Sequence, residues 1–225
     1  MDNFEVFFIS YDEVDGDSNW RHLLRAYPTA IRIHGVKGAS NAYKEAATKA
    51  SKDYFYVVEG DNQLFAEFEF KNLNDKSVHA WRSINRAGQF PSYQGCVKAF
   101  PTEYFKDHDF CKIDTLININ HVPVVFEDQV VSYHGLDVNA KDSIRHTIKQ
   151  VLRARVYIEL GNFHYQLELN KWKDSDMGLQ KEAINWAIQY AEGLDLDTIE
   201  DEFFDDHDAL DRIVEEFESA RVVAS

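Results

Sequence analysis

The chain has little cysteine, proline, glycine or positive charge, and it has no long apolar run. Only two cysteines occur among 225 residues, Cys96 and Cys111. They are too few for a disulfide framework, and they lack the spacing of metal ligands. Four prolines and ten glycines leave no scope for long linkers. No apolar stretch approaches the ~20 residues of a membrane span. The N-terminal residues also lack a basic segment followed by an apolar one, so no signal peptide is expected and a reducing cytoplasm is the expected location. There is no Gly-Lys-Ser/Thr phosphate loop, no Gly-x-Ser-x-Gly elbow and no Cys-His array, which removes the P-loop, α/β-hydrolase and zinc-site readings.

Lysine and arginine number 24 against 39 acidic residues, a net charge of -15. That sign works against nucleic-acid binding, because phosphates need cations. The imbalance is local, however. Between Glu192 and Glu218 there are 13 acidic residues and one base, Arg212, and the rest of the chain holds 26 acids and 23 bases. The body is therefore nearly neutral. Within the acidic stretch Ile199, Phe203, Leu210, Ile213 and Phe217 keep roughly helical spacing, which predicts docked amphipathic helices.

Hydrophobic residues make up 44% of the chain, with 16 Phe, 11 Tyr and 4 Trp, enough for a substantial core. The first part alternates between two kinds of segment. Glu5 to Ser10 is an apolar run suited to a strand buried on both faces. Asp17, Ser18 or Asn19 can cap a helix carrying Trp20, Leu23, Leu24 and Tyr27, which Pro28 stops. Ala30 to Ile33 is a second strand, and Ser40 or Asn41 can cap an Ala-rich helix reaching about Ala50. Tyr54 to Val58 is a third strand. The β-α-β-α-β order predicts a parallel sheet with right-handed crossovers, whose ligands bind beyond the carboxyl ends of the strands. The polar groups Asp12-Glu13, His34 to Gly38 and Glu59 to Asn62 all fall at such ends.

Later segments are more varied. Leu64 to Phe70, Ser77 to Trp81, Gly95 to Phe100 (closed by Pro101) and Val122 to Tyr133 have strand character. Asp142 to Arg155 and Leu179 to Ala191 have helical spacing. Around Gly161-Asn162 the alternation fits either a hairpin or a continuing helix.

Among candidate chemical groups, Glu59-Gly60-Asp61 stands first. Two carboxylates spaced by one residue at a strand end are expected to face one cleft, where a hard divalent cation, Mg²⁺ or Mn²⁺, takes carboxylate and phosphate oxygens together. Lys37 lies between Gly35 and Gly38, where close backbone approach suits a phosphate. Trp81 offers a ring for stacking and Arg82 a fork of donors for phosphate. The alternative for this pair is a core tryptophan with a surface arginine.

The segments Phe8 to Glu13, Asn19-Trp20, Ile33 to Gly38, Phe55 to Asn62, Val78 to Asn85 and Tyr93 to Pro101 together resemble a group of glycosyltransferases common in tailed-phage genomes. The similarity is dense to about Pro101 and thin beyond it. The chain departs from that pattern at Glu59, where aspartate is favoured, and at Gln94, where glycine is expected. The resemblance implies an α/β fold of the glycosyltransferase-A type: one Rossmann-like domain over 1–191, with a mixed central sheet flanked by helices, and an acidic helical tail over 192–225. It also implies a metal-dependent enzyme passing a sugar from a nucleoside diphosphate sugar, a UDP-sugar above all, to a hydroxyl. A hydroxymethylated base in phage DNA is one such acceptor. The nucleotide sugar is then expected at Ser10, Asp12, Glu13, His34, Lys37, Asn62, Trp81, Arg82 and Asn85, with Asp12 and Glu13 near the nucleobase and ribose. The metal is expected at Glu59, Asp61 and a distant histidine, His134, and catalysis at Asp61. Glu127 and Asp128, an acidic pair upstream of His134, are the candidates for the acceptor base, and a solvated strand end is their alternative. A nucleotidyltransferase on a related sheet and a binding or assembly protein without turnover are the alternatives. The acidic loop after the first strand counts against the former.

Overall fold

The structure, a computed structural model, describes residues 2–93, 95, 97–108, 122–135, 140–161, 164–175, 178–196, 199, 203–204 and 206–224. Gln94, Cys96, Cys111 and Asn162 lie outside the described residues. The chain divides into two compact units: Met1–Asn85 with Pro91–Leu136, and Arg86–Phe90 with Asp137–Ser225.

The first unit is α/β. Strands β1 (Phe4–Ser10), β2 (Ile31–His34) and β3 (Tyr54–Glu59) alternate with helices α1 (Gly16–Ala26) and α2 (Ala39–Lys49). β1 pairs in parallel with both β2 and β3, as the alternation of apolar runs and helix signals predicts. Phe7 and Ile9 enter one core cluster with Ala42, Tyr43, Ala46 and Ala47 of α2. Phe4, Val6 and Phe8 enter another with Leu23 of α1. The sheet therefore carries helices on both faces. Because β2 and β3 lie on opposite sides of β1, the two crossovers share one hand.

Non-local pairing completes the sheet. It gains β4 (Gln63–Leu64), β5 (Val78–Asn85), β6 (Phe90–Ser92), β7 (Lys98–Pro101) and β8 (Val124–His134). The order is β2-β1-β3-β7-β5-β8-β4, with β6 pairing β5. β7 is antiparallel to both β3 and β5, whereas β5 and β8 run parallel. β1, β2, β3, β5 and β8 consequently end on the same edge of a mixed sheet. Helix α3 (Thr102–Phe105) follows β7. Of the expected Leu64 to Phe70 strand only Leu64 is in the sheet, as the second residue of β4.

Two helix starts differ from expectation. α1 begins at Gly16, before the expected caps, and has Asp15 at its N-cap. Asn19 is therefore inside the helix, where its Nδ2 donates to Gly60 O at 2.9 Å. α2 starts after Gly38, and Asn41 Nδ2 reaches back to Lys37 O.

The second unit holds α4 (Ala140–Glu159), α5 (His164–Asp174), α6 (Leu179–Glu192) and α7 (His207–Ala224). On both sides of the Gly161 turn the described residues are helical, in α4 and α5, so among them the hairpin alternative is not adopted. The residues of the expected tail, 192–225, belong to this unit together with the helices before them. α7 buries Leu210, Ile213, Val214 and Phe217. Its Asp211 accepts from Arg145 Nη1 of α4 at 3.0 Å. No helix among the described residues is long and apolar enough to cross a membrane.

Candidate functional site

The sheet's carboxyl edge gathers most of the expected polar residues of the first unit. Ser10 pairs with His34 and Ile9 with Glu59 across the parallel strands, while Asn85 pairs with His134. Ser10 Oγ lies 3.0 Å from His34 Nδ1 and accepts from Arg32 Nε at 3.1 Å. Arg32 in turn pairs with Asp17 at 2.7 Å. Asp12 and Lys37 are exposed in the loops that follow β1 and β2.

Glu13 folds back over the third strand end. Its Oε2 accepts the Tyr11 N–H at 2.8 Å, and a Cβ added at Gly60 would lie 2.6 Å from that oxygen. Glycine at position 60 thus makes room for the Glu13 carboxylate. Burial pushes the Glu13 carboxyl above its ordinary value, and the charges of Asp61 and Asp12 act in the same direction against the backbone bond from Tyr11.

A buried network fixes the residues after β3. Asn62 is 1% exposed. Its Oδ1 accepts from Ser132 Oγ at 2.8 Å and lies 3.3 Å from Ser83 Oγ, and its Nδ2 donates to Gly95 O at 2.9 Å and Asp61 Oδ1 at 3.3 Å. The other Asp61 oxygen, Oδ2, meets His134 Nδ1 at 3.2 Å. Gly95 has φ +60°, and a Cβ there would sit 2.2 Å from His134 Nδ1. A glycine turn, an amide and two serines therefore set one carboxylate against one imidazole, from residues 73 apart in sequence.

Glu59 has different partners. Its Oε1 accepts from Tyr43 OH at 2.7 Å and Lys98 Nζ at 3.2 Å, while Lys98 also donates to Tyr43 OH at 3.0 Å. Burial, followed by the charge of Glu59, raises the Tyr43 hydroxyl well above its ordinary value, so it remains a phenol. Among the described residues no three of His, Cys, Asp and Glu group as metal ligands.

The remaining expected residues lie elsewhere. Trp81 is 1% exposed, stacks on Tyr56 with ring centroids 5.5 Å apart and packs on Phe68. It takes the core alternative, and its ring is not offered to a ligand. Arg82 lies over the Tyr93 ring, donates to Tyr93 OH at 3.1 Å and pairs with Asp128 at 2.6 Å. Glu127 and Asp128 are in the body of β8, not at its end, roughly 20 Å along the strand from His134. Glu127 bonds His79 Nδ1 at 2.9 Å, and Asp75 holds the other ring nitrogen at 3.0 Å. Register shifts in β8 opposite Arg82 leave Asp128 89% exposed. Neither acid is brought to the edge that holds Asp61.

The sequence reading passed over Tyr43, Ser83, Lys98 and Ser132. Lys98 had a usable signal, since a lone lysine inside the apolar run Val97 to Phe100 must find a counter-charge once that strand is central. The two serines had none. The chain matches no protein-family model and no curated protein.

Proposed function

We propose that the first unit is a nucleotide-sugar-dependent glycosyltransferase whose donor diphosphate is met at the Asp61–His134 pair. The observation that carries this reading is that pair, built at the carboxyl edge of a mixed α/β sheet and locked by Asn62 and Gly95. The donor chemistry suits a divalent cation, since a carboxylate oxygen, Asp61 Oδ2, and an imidazole nitrogen, His134 Nδ1, lie 3.2 Å apart. Asp61 and His134 would hold Mn²⁺ or Mg²⁺, which would supply the positive charge that offsets a diphosphate leaving group.

The chain's own residues supply orientation. Asn62 fixes the Asp61 carboxylate, so little ordering remains to be done on binding. Glu13 and the exposed Asp12 offer acceptors to the N–H and hydroxyl groups of a nucleoside beyond β1. Lys37 extends a cation from the glycine-flanked loop after β2 toward phosphate. The acceptor is a hydroxyl, and the phage resemblance favours a hydroxymethylated base. Glu127 and Asp128 are too far along β8 to be its base.

Thermal shift of the full chain with UDP, UDP-sugars and purine nucleotides, each with and without Mn²⁺, tests the reading. Stabilisation by a nucleotide with Mn²⁺, lost in Asp61→Asn, is expected. No shift with any nucleotide removes the proposal.

A further inference from the structure

Lys98 is 4% exposed, in a strand lying between β3 and β5. It pairs with Val57 on one side and Ala80 on the other. A buried ammonium requires a compensating charge and satisfied donors, and Glu59 Oε1 together with Tyr43 OH provides both. The three contacts agree in one protonation state: ammonium donates to phenol and carboxylate, and phenol donates to carboxylate. Tyr43, 2% exposed on α2, closes the triangle.

We infer that Lys98 and Tyr43 withdraw Glu59 from the cation's ligand set, so that a cation at this strand end is held by Asp61 and His134 and not by both carboxylates of the Glu-Gly-Asp element. The inference rests on the cation reading above. Two facts separate the carboxylates. Asp61 shares its oxygens with Asn62 and His134. Glu59 has an oxygen already bonded by an ammonium, and a second cation approaching it would meet like charge. Glu59 is then a positioning residue: its ion pair anchors the end of β3 to β7 and α2, just before the turn that presents Asp61. The longer side chain at position 59 has a physical use in this arrangement, because it is the group that reaches Lys98.

The test compares Mn²⁺ binding, followed by the electron paramagnetic resonance of free Mn²⁺ with and without UDP, in wild type, Glu59→Gln and Asp61→Asn. Glu59→Gln should change the dissociation constant less than twofold, whereas Asp61→Asn should weaken it at least tenfold. Equal weakening by the two variants overturns the inference. Melting of Lys98→Met and of Lys98→Met/Glu59→Gln supplies a readout independent of metal. The single variant leaves a carboxylate without its cation and should lower Tm by about 6 °C or more. The double variant should recover at least half of that loss. If wild type binds no Mn²⁺ under either condition, the cation reading fails and the double variant decides the remainder: recovery sustains the Glu59–Lys98 pairing, and no recovery overturns it.

Discussion

Replacing Asn62 separates a designed hydrogen-bond junction from a merely buried amide. The orientation of the amide follows from its neighbours. Gly95 O can only accept, so Nδ2 faces it and Oδ1 turns to the serines, where Ser132 Oγ donates to Oδ1 at 2.8 Å and Ser83 Oγ, 2.5 Å from Ser132 Oγ, donates to that hydroxyl. Asn62→Ala loses two strong contacts, at 2.8 and 2.9 Å, and two weak ones at 3.3 Å. At about 1 kcal/mol for each good bond and a little for the carbonyl left unmet, the cost is roughly 2–3 kcal/mol. In a chain of this size that is a fall of about 4–12 °C in Tm. Asn62→Asp has nearly the same shape but places an oxygen against Gly95 O and Asp61 Oδ1. It should cost about 1–2 kcal/mol more than alanine at pH 7.5, through lost donors and a second buried charge. The gap should narrow on acidification, as the introduced carboxyl takes up a proton and recovers a donor. Melting curves by circular dichroism between pH 7.5 and 5 measure both quantities. An Asn62→Asp chain as stable as Asn62→Ala at pH 7.5 would refute the network.

Three further outcomes follow from the same geometry. Gly95→Ala forces a side chain into φ +60° and into the His134 ring. It should cost about 1–2 kcal/mol in backbone strain alone, and by displacing His134 it should weaken Mn²⁺ binding at least tenfold; unchanged Mn²⁺ affinity would count against the His134 assignment. Gly60→Ala should push the Glu13 carboxyl toward solvent and lower its pKa toward the ordinary 4.5; a carboxyl titration by NMR that leaves the Glu13 value unmoved contradicts this. Asp75 behaves in the opposite sense: although its partial burial acts to raise it, the bonds from His79 and the Ser77 N–H hold its carboxyl below 3.8. A depressed acid contributes stability that is complete above 3.8 and is lost as pH falls through the lower folded value. Asp75→Asn should therefore flatten the decline in Tm below pH 4, and an unaltered acid limb would show that Asp75 does not contribute to it.

The β1-α1-β2-α2-β3 frame was legible because its signals are local: apolar runs of strand length, an Ala-rich stretch, and Pro28 just beyond the end of α1. With the frame came the three polar strand ends. The insertion of antiparallel β7 between β3 and β5 was not legible, since sheet order is set by partners far apart in sequence. That insertion places Lys98 beside Glu59 and so separates two carboxylates that spacing alone put together. His134 is expected just after a strand and is instead the last residue of β8, and its meeting with Asp61 depends on Gly95 and on Asn62, Ser83 and Ser132. Those contacts join separate segments, and no sequence spacing encodes them. Glu127-Asp128 is an acidic pair in the body of β8, which runs through it with register shifts that periodicity does not reveal. Trp81 could be read as a stacking platform or as core, and only the packing of Tyr56, Phe68 and His79 around it decides for core.

The central claim, a diphosphate site centred on Asp61 and His134, is met most directly by isothermal titration of UDP into the full chain with and without Mn²⁺, repeated on Asp61→Asn. Heat of binding that requires Mn²⁺ and vanishes in the variant is the predicted result. UDP binding of equal affinity in wild type and Asp61→Asn, with or without Mn²⁺, would contradict it.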